Sequence, residues 1–252
     1  MKSILKRMIP GAARFRLRVA GIRARDVLTG TRFRFARNSP DKIAQAKAFP
    51  KRITIEQRIN VSQWAENKKH NLRLAIATFQ DLPMAPGEVF SFWRYVGNPT
   101  AKAGYKVGIN IIANKLDFDL GGGLCQLSGL LYHLALAAGL EVVERHPHSV
   151  DLYTDETRYT PLGADSTTAY GYKDLRLRNN LGTPVCFRIR LEENFLIGSL
   201  CAPHPLKEYE LEFPLEVKGA VEEVKTLRKT DNGEFETICS QTYQIADHDQ
   251  TI

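Results

Sequence analysis

A chain of 252 residues with 43% hydrophobic and 25% charged side chains, 18 Gly and 12 Pro is long enough to bury a sizeable core, and its composition excludes collagen-like, low-complexity and disordered classes. No run approaches the ~18 consecutive apolar residues of a membrane-spanning helix, and Met1 to Arg18 lacks the apolar stretch of a secretory leader, so the expected location is cytoplasmic. The net charge of +7 hides an asymmetry: residues 1–52 carry 15 Lys/Arg against 2 acids, and the rest of the chain is acidic on balance.

The basic arm, KRMIPGAARFRLRVAGIRAR, interleaves Arg with Phe, Leu, Val and Ile. Such a segment suits an anionic membrane face, where each basic residue near the surface contributes ~1 kcal/mol. Ile4, Leu5, Met8, Ile9 and Ala12 line one helical stripe, interrupted by Pro10. No nucleic-acid motif follows the arm, so the expected partner of residues 1–25 is the inner membrane face, touched peripherally, and no nucleic acid is expected.

After the arm, residues 53–63 alternate apolar and polar and read as extended. Leu72, Ala75, Ile76, Phe79 and Leu82 recur at helical spacing and predict a helix over 71–82, stopped by Pro83. Pro86-Gly87 marks a turn into the strand EVFSF, and VGINII and KLDFDL form a hairpin around Ala113-Asn114. Gly121-Gly122-Gly123 lead into a helix from about Leu124 to Ala138, with Gly139 at its C′ position. LEVVERHPHSV reads as a strand over 140–150, and 153–165 as a polar loop. DLRLRN, PVCFRIRL and NFLIGSLCA then read as an antiparallel meander with Arg176, Arg178, Arg188 and Arg190 facing outward. The tail carries three more strand-like runs, the last two joined around Asp231-Asn232-Gly233. The expected fold class is α+β, with a buried central helix carrying Cys at its N-terminus on a mostly antiparallel sheet, in a papain-like or transpeptidase-like arrangement. The expected divisions are the basic arm 1–52, a main domain 53–205 and a β-rich extension 206–252.

The four cysteines, Cys125, Cys186, Cys201 and Cys239, are widely spaced with no C-x-x-C pair, so neither a disulfide framework nor a zinc ribbon is indicated. Three of them lie in apolar strand-like runs, where Cys serves as a small hydrophobe. Cys125 differs, because it falls in the first turn of the central helix. There the unpaired N–H groups and the positive end of the macrodipole favour a thiolate. A lone Cys in an apolar helix is ordinarily a core residue, but here two imidazoles follow some 20 residues on. In ERHPHS, His146 and His148 at i and i+2 of an extended segment would share one side, one as base and the other orienting or binding substrate. For the third, orienting group Asp165 comes first, ahead of Asp174 and Asn179. Gly121, Gly122, Gly123, Gln126 and Ser149 are the candidate substrate and oxyanion residues. A zinc site on His146, His148 and Cys125 is the rival chemistry, and it lacks an obvious fourth ligand. The first reading requires no metal and no cofactor.

PGEVFSFW (86–93), GYKVGINIIANKL (104–116), GGGLCQLS (121–128), ERHPHS (144–149) and GADSTTAYGYKDLRLRN (163–179) resemble the VanW family, over about residues 50–195. The resemblance implies a cell-wall connection, since the family was first named from vancomycin-resistance gene clusters. Some envelope members look like cysteine L,D-transpeptidases, which join peptidoglycan stem peptides through an acyl-enzyme thioester. Carried over, the nucleophile is Cys125 and its partner His146 or His148, acting on a peptide or cell-wall precursor. The alternative is a non-catalytic accessory protein that binds such a precursor or an envelope enzyme.

Overall fold

The computed structural model describes residues 10–112, 115–154 and 157–245. Pro10 immediately precedes helix α1 (Gly11–Leu28), where a missing N–H leaves no bond unmade. Four residues of the stripe expected on the arm, Ile4, Leu5, Met8 and Ile9, lie outside the described residues. A short helix α2 (Pro40–Lys47) follows, with Pro in its first turn, and strand β1 (Lys51–Arg58) buries Ile53 and Gln57 on alternate positions.

Helix α3 (Ala65–Ala77) begins and ends earlier than its apolar spacing predicts. Its first turns are polar surface, where periodicity is silent. Its last predicted turn is instead a tight loop in which Asp81 takes φ 55° and donates its N–H to Phe187 O. Phe79 and Leu82 are buried from that loop. Strands β2 (Pro83–Met84) and β3 (Val89–Ser91) flank the Pro-Gly turn, and α4 (Phe92–Val96) is capped by Ser91, whose hydroxyl accepts from the Arg94 N–H. The expected hairpin forms as β4 (Val107–Ile112) and β5 (Lys115–Leu120) in antiparallel register; its turn residues are outside those described.

Helix α5 (Leu124–Ala138) is apolar nearly all round and is buried accordingly: of its 15 residues only Cys125 and His133 escape full burial. Burial of each of Leu127, Leu130, Leu131 and Leu134 contributes about 1.5–3 kcal/mol. Beyond it come β6 (Glu141–Glu144), β7 (Val150–Asp151), β8 (Arg176–Arg178), β9 (Val185–Glu192), β10 (Phe195–Ala202), β11 (Leu211–Glu212), β12 (Leu215–Lys218), β13 (Val221–Lys229) and β14 (Phe235–Ile245).

The class is α+β, and the sheets are mostly antiparallel. One has the order β1-β10-β9-β2, and α5 packs on its β1 and β10. A second runs β3-β8-β6; β4-β5 is a separate hairpin; the tail forms β11-β13-β14-β7, with β12 also on β13. The last pair is parallel, Gln244 opposite Val150, so the end of the tail is stitched beside the residues that follow His148.

Two expectations are corrected here. The three strands read as one meander fall in two sheets, because β8 pairs with β3 and β6 while β9 and β10 pair with each other. Consequently Arg176 is not outward: it is 5% exposed, with its guanidinium on Asp26 at 2.6 Å and on Asp174 at 3.0 Å. Arg188 turns partly inward as well, onto Asp81. Cys186 and Cys201 face each other across β9 and β10 as buried thiols. No helix among the described residues is long and apolar enough to cross a membrane.

Candidate active site

The site begins where β5 hands over to α5. At Gly122 a Cβ would lie 2.5 Å from the backbone of Gly108 on β4, so only glycine lets the two segments cross. Gly123 takes φ 100° and starts the helix without a side-chain cap. The N–H groups of Gln126 and Leu127 turn back to Gly123 O at 3.1 and 3.4 Å, which leaves the Cys125 N–H without an acceptor among the described residues. An open donor in a first helical turn is a place where negative charge is favoured.

The two imidazoles diverge. Strand β6 stops at Glu144, the backbone is irregular through His148, and pairing resumes only at Val150. The alternation that would place His146 and His148 on one side therefore does not operate. His146 points to Glu144, with Nε2 3.1 Å from Oε1. His148 is turned inward: its Nδ1 lies 2.7 Å from Asp165 Oδ2, and its backbone N–H donates to the same oxygen at 2.8 Å. With Nδ1–H donating to the carboxylate, the neutral ring presents a lone pair at Nε2. That Nε2 is buried with no hydrogen-bond partner among the described residues, and His148 and Cys125 line the same cleft and shift each other's pKa.

Asp165 is held on every side. Its Oδ1 accepts from Arg145 at 2.8 Å and from the Tyr243 hydroxyl at 2.5 Å, while Arg145 Nε also donates to the Asp165 carbonyl at 2.8 Å. Tyr243 in turn accepts from the Gly163 N–H, Arg145 is also hydrogen-bonded to Gln241, and its guanidinium lies over the Tyr132 ring. Burial alone would raise the Asp165 pKa, but His148 and Arg145 outweigh it and hold the carboxyl well below the usual range. His148 is opposed by burial too, yet Asp165 and Cys125 push it up to about 9. For Cys125, burial raises the pKa and the His148 ring overrides it, assisted by Thr168 and Thr167, bringing the thiol down to about 7. The thiol lies 3.6 Å from Thr167 Oγ1 and 3.8 Å from Thr168 O. Each charge supports the other, so the pair favours a thiolate beside an imidazolium.

Cys125 and His148 open on a cleft of about 210 Å³, lined also by Trp64, Lys68, Gln126, Tyr153 and Tyr159. The Tyr153 and Tyr159 rings meet edge to face at 5.1 Å. Gln126 donates to Arg58 O at 2.9 Å and is left with a buried Oε1 that no donor reaches, so the group it offers is an acceptor.

Of the residues singled out from sequence, the structure brings together Cys125, His148 and Asp165, and lines the cleft with Gly122, Gly123 and Gln126. Gly121 packs on Pro99, Ser149 is exposed beside β14, and His146 stays with Glu144. Asp174 serves Ser91, Trp93 and Arg176, and Asn179 bonds Met84 O and Thr183 O, both away from the thiol. Among the described residues no three His, Cys, Asp or Glu side chains converge as metal ligands, so the zinc reading has no donor set. Sequence reasoning missed Arg145, Tyr243 and Lys68. Arg145 was inside the ERHPHS motif, and Tyr243 carries no local signal at all.

A thiol, an imidazole and a carboxylate placed in series at the mouth of a cleft define the class of site. A family model described as VanW like protein matches residues 67–201, which include all three, and the chain belongs to the VanW family. It is 34% identical over 139 residues to the vancomycin B-type resistance protein VanW of Enterococcus faecalis (strain ATCC 700802 / V583), covering 55% of this chain and 50% of that protein. It is 33% identical over 125 residues to the uncharacterized protein YoaR of Bacillus subtilis (strain 168), covering 50% of this chain and 40% of that one. The chain thus spans half or less of the length of these relatives. No solved structure matches it.

Proposed function

We propose that this VanW-family chain is a thiol acyl-transfer enzyme acting on peptidoglycan-type peptides, in the manner of an L,D-transpeptidase. The observation that carries the reading is the inward turn of His148, with its Nδ1 on a fully engaged Asp165 and its Nε2 unpartnered beside the cleft that it lines together with Cys125. The name of the Enterococcus relative supports cell-wall peptide as the substrate class.

In this mechanism the Cys125 thiolate attacks the peptide carbonyl carbon and forms the C–S bond. The oxyanion is met by the open Cys125 N–H. The C–N bond then breaks as the His148 imidazolium gives its proton to the leaving amine. An acceptor amine, or water, attacks the thioester while His148 takes up its proton and thiolate is released. Asp165 is a positioning residue: it keeps Nδ1 protonated and stabilises the imidazolium. The buried Oε1 of Gln126 suits a substrate N–H. The basic segment 1–25 suits attachment to an anionic membrane face, where lipid-linked precursors would be presented.

The test is the pH dependence of Cys125 alkylation, read by peptide mass spectrometry, with a search for an acyl adduct on the intact protein. The wild type should show a limb near pH 7 and His146→Ala the same limb. In His148→Ala the limb should move above the free-thiol value of ~8.5, because burial then acts unopposed. Turnover should rise through about pH 7 and fall through about pH 9, where the imidazolium is lost. A wild-type limb at ~8.5, with no peptide adduct, overturns the proposal.

A further inference from the structure

Lys68, Lys69 and His70 form a polar run on α3 that reads in sequence as solvated surface. Two of the three are half-buried with partners: Lys69 pairs with Glu66 at 3.0 Å, and His70 bonds Gly104 O. Lys68 instead lies against the glycine loop. Its stem crosses Gly123 so closely that a Cβ there would be 2.6 Å from Lys68 Cγ. Its ammonium lies 5.6 Å from the centre of the Tyr159 ring, in the cleft that holds Cys125. Among the described residues no carboxylate lies within 4.0 Å of this ammonium and no oxygen accepts a hydrogen bond from it. Every other charged group around Cys125 has its counter-charge in the protein: Asp165 has Arg145, and His148 has Asp165.

Lys68 is half-buried, and burial pushes its ammonium down to about 8 while the neighbouring Cys125 charge works in the opposite sense. A bound anion would remove that penalty. Because the Lys68 stem lies against Gly123, two residues from Cys125, and both side chains line one cleft, an anion held by Lys68 lies close to the carbonyl under attack. In a peptide, the nearest group of that kind is the α-carboxylate of the residue being expelled, separated from the scissile carbonyl by one nitrogen and one Cα.

Resting on the acyl-transfer reading above, we propose that Lys68 binds the α-carboxylate of the leaving residue. The acyl donors are then peptides cleaved before a free C-terminal residue, and internal peptide bonds are poor substrates. Gly123 is part of this device, since any side chain there would displace the Lys68 stem. Tyr159 bounds the cation on one side and leaves its donors free for the carboxylate.

The test compares two stem-type peptides that differ only in the leaving residue, one ending in a free carboxylate and one in a carboxamide, each scored by formation of the Cys125 thioester on the intact protein. Wild type should acylate from the acid about 10- to 100-fold faster in kcat/KM, through KM, and the preference should shrink with added salt. Lys68→Gln should bring acid and amide to within about twofold of each other, and Lys68→Arg should keep part of the preference. Because the Lys68 charge favours the neighbouring thiolate, Lys68→Gln should also move the Cys125 alkylation limb up modestly, by less than His148→Ala does, while Lys68→Arg should keep it near pH 7. Equal rates from acid and amide in wild type overturn the Lys68 assignment and leave the acyl-transfer reading standing. No thioester from either peptide overturns both. A fall in the rates from acid and amide by the same factor in Lys68→Gln, with the preference kept, overturns the carboxylate role and makes Lys68 a support for the thiolate.

Discussion

Two residues apart on one short segment, His146 and His148 enter two different buried charge clusters, and the clusters differ in one respect. Around Arg176 every strong group is matched: Asp26 takes two of its nitrogens, Asp174 and Glu144 share its Nε, and Asp174 also accepts from Ser91 and the Trp93 N–H. His146 completes that set through Glu144. Around Asp165 the matching is as thorough until it reaches His148 Nε2, where it stops at a thiol and a cleft. The Arg176 cluster, which itself borders a cleft of about 650 Å³, clamps α1 to the body through Asp26; the Asp165 cluster leaves one nitrogen without a hydrogen bond. Buried charge by itself therefore says little about chemistry, and an unfilled position at its end says a good deal.

Asp165→Asn should separate the two most sharply. It leaves Arg145 buried without its counter-charge and gives His148 Nδ1 a neutral amide, so stability should fall by about 3–5 kcal/mol in denaturant titration and turnover by about 10²- to 10⁴-fold. The Cys125 alkylation limb should rise with it. Arg176→Met is the matching break in the other cluster: Asp26 and Asp174 lose their cation and stability should drop by about 3 kcal/mol, while the Cys125 limb stays where it was. Movement of that limb in Arg176→Met would show the clusters to be coupled. Tyr243→Phe is the mildest of the three. It removes one of two donors to Asp165 Oδ1 and should cost about 1–2 kcal/mol, with a small upward shift of the limb.

Much of the site was legible because its signals are local. Three glycines, a Cys in the first turn and an apolar helix specify α5 and the place of its thiol, and the short ERHPHS motif holds both His148 and Arg145. The choice between the histidines was hidden, since it depends on β6 ending at Glu144, and the i, i+2 rule presumes a strand that continues. Arg176 was misjudged for a related reason: alternation tells which residues share a face, and only the sheet partners decide whether that face meets water. Lys68 could not be told from Lys69 by composition, because the difference lies in a missing Cβ at Gly123, 55 positions away. Tyr243 reaches Asp165 across 78 residues, and no window of sequence contains both.

That last span also fixes when the carboxylate beside His148 receives its final donor. The family match stops at residue 201, whereas the Tyr243 hydroxyl that donates to Asp165 and the Gln241 oxygen that accepts from Arg145 both come from β14. A ribosome adding about 5–20 residues per second needs roughly 4–16 s to pass from Asp165 to Tyr243. Until then the Asp165 carboxylate has Arg145 on its Oδ1 and lacks the Tyr243 hydroxyl, so the group that holds His148 receives its last donor late, from a strand beyond the stretch the family model covers.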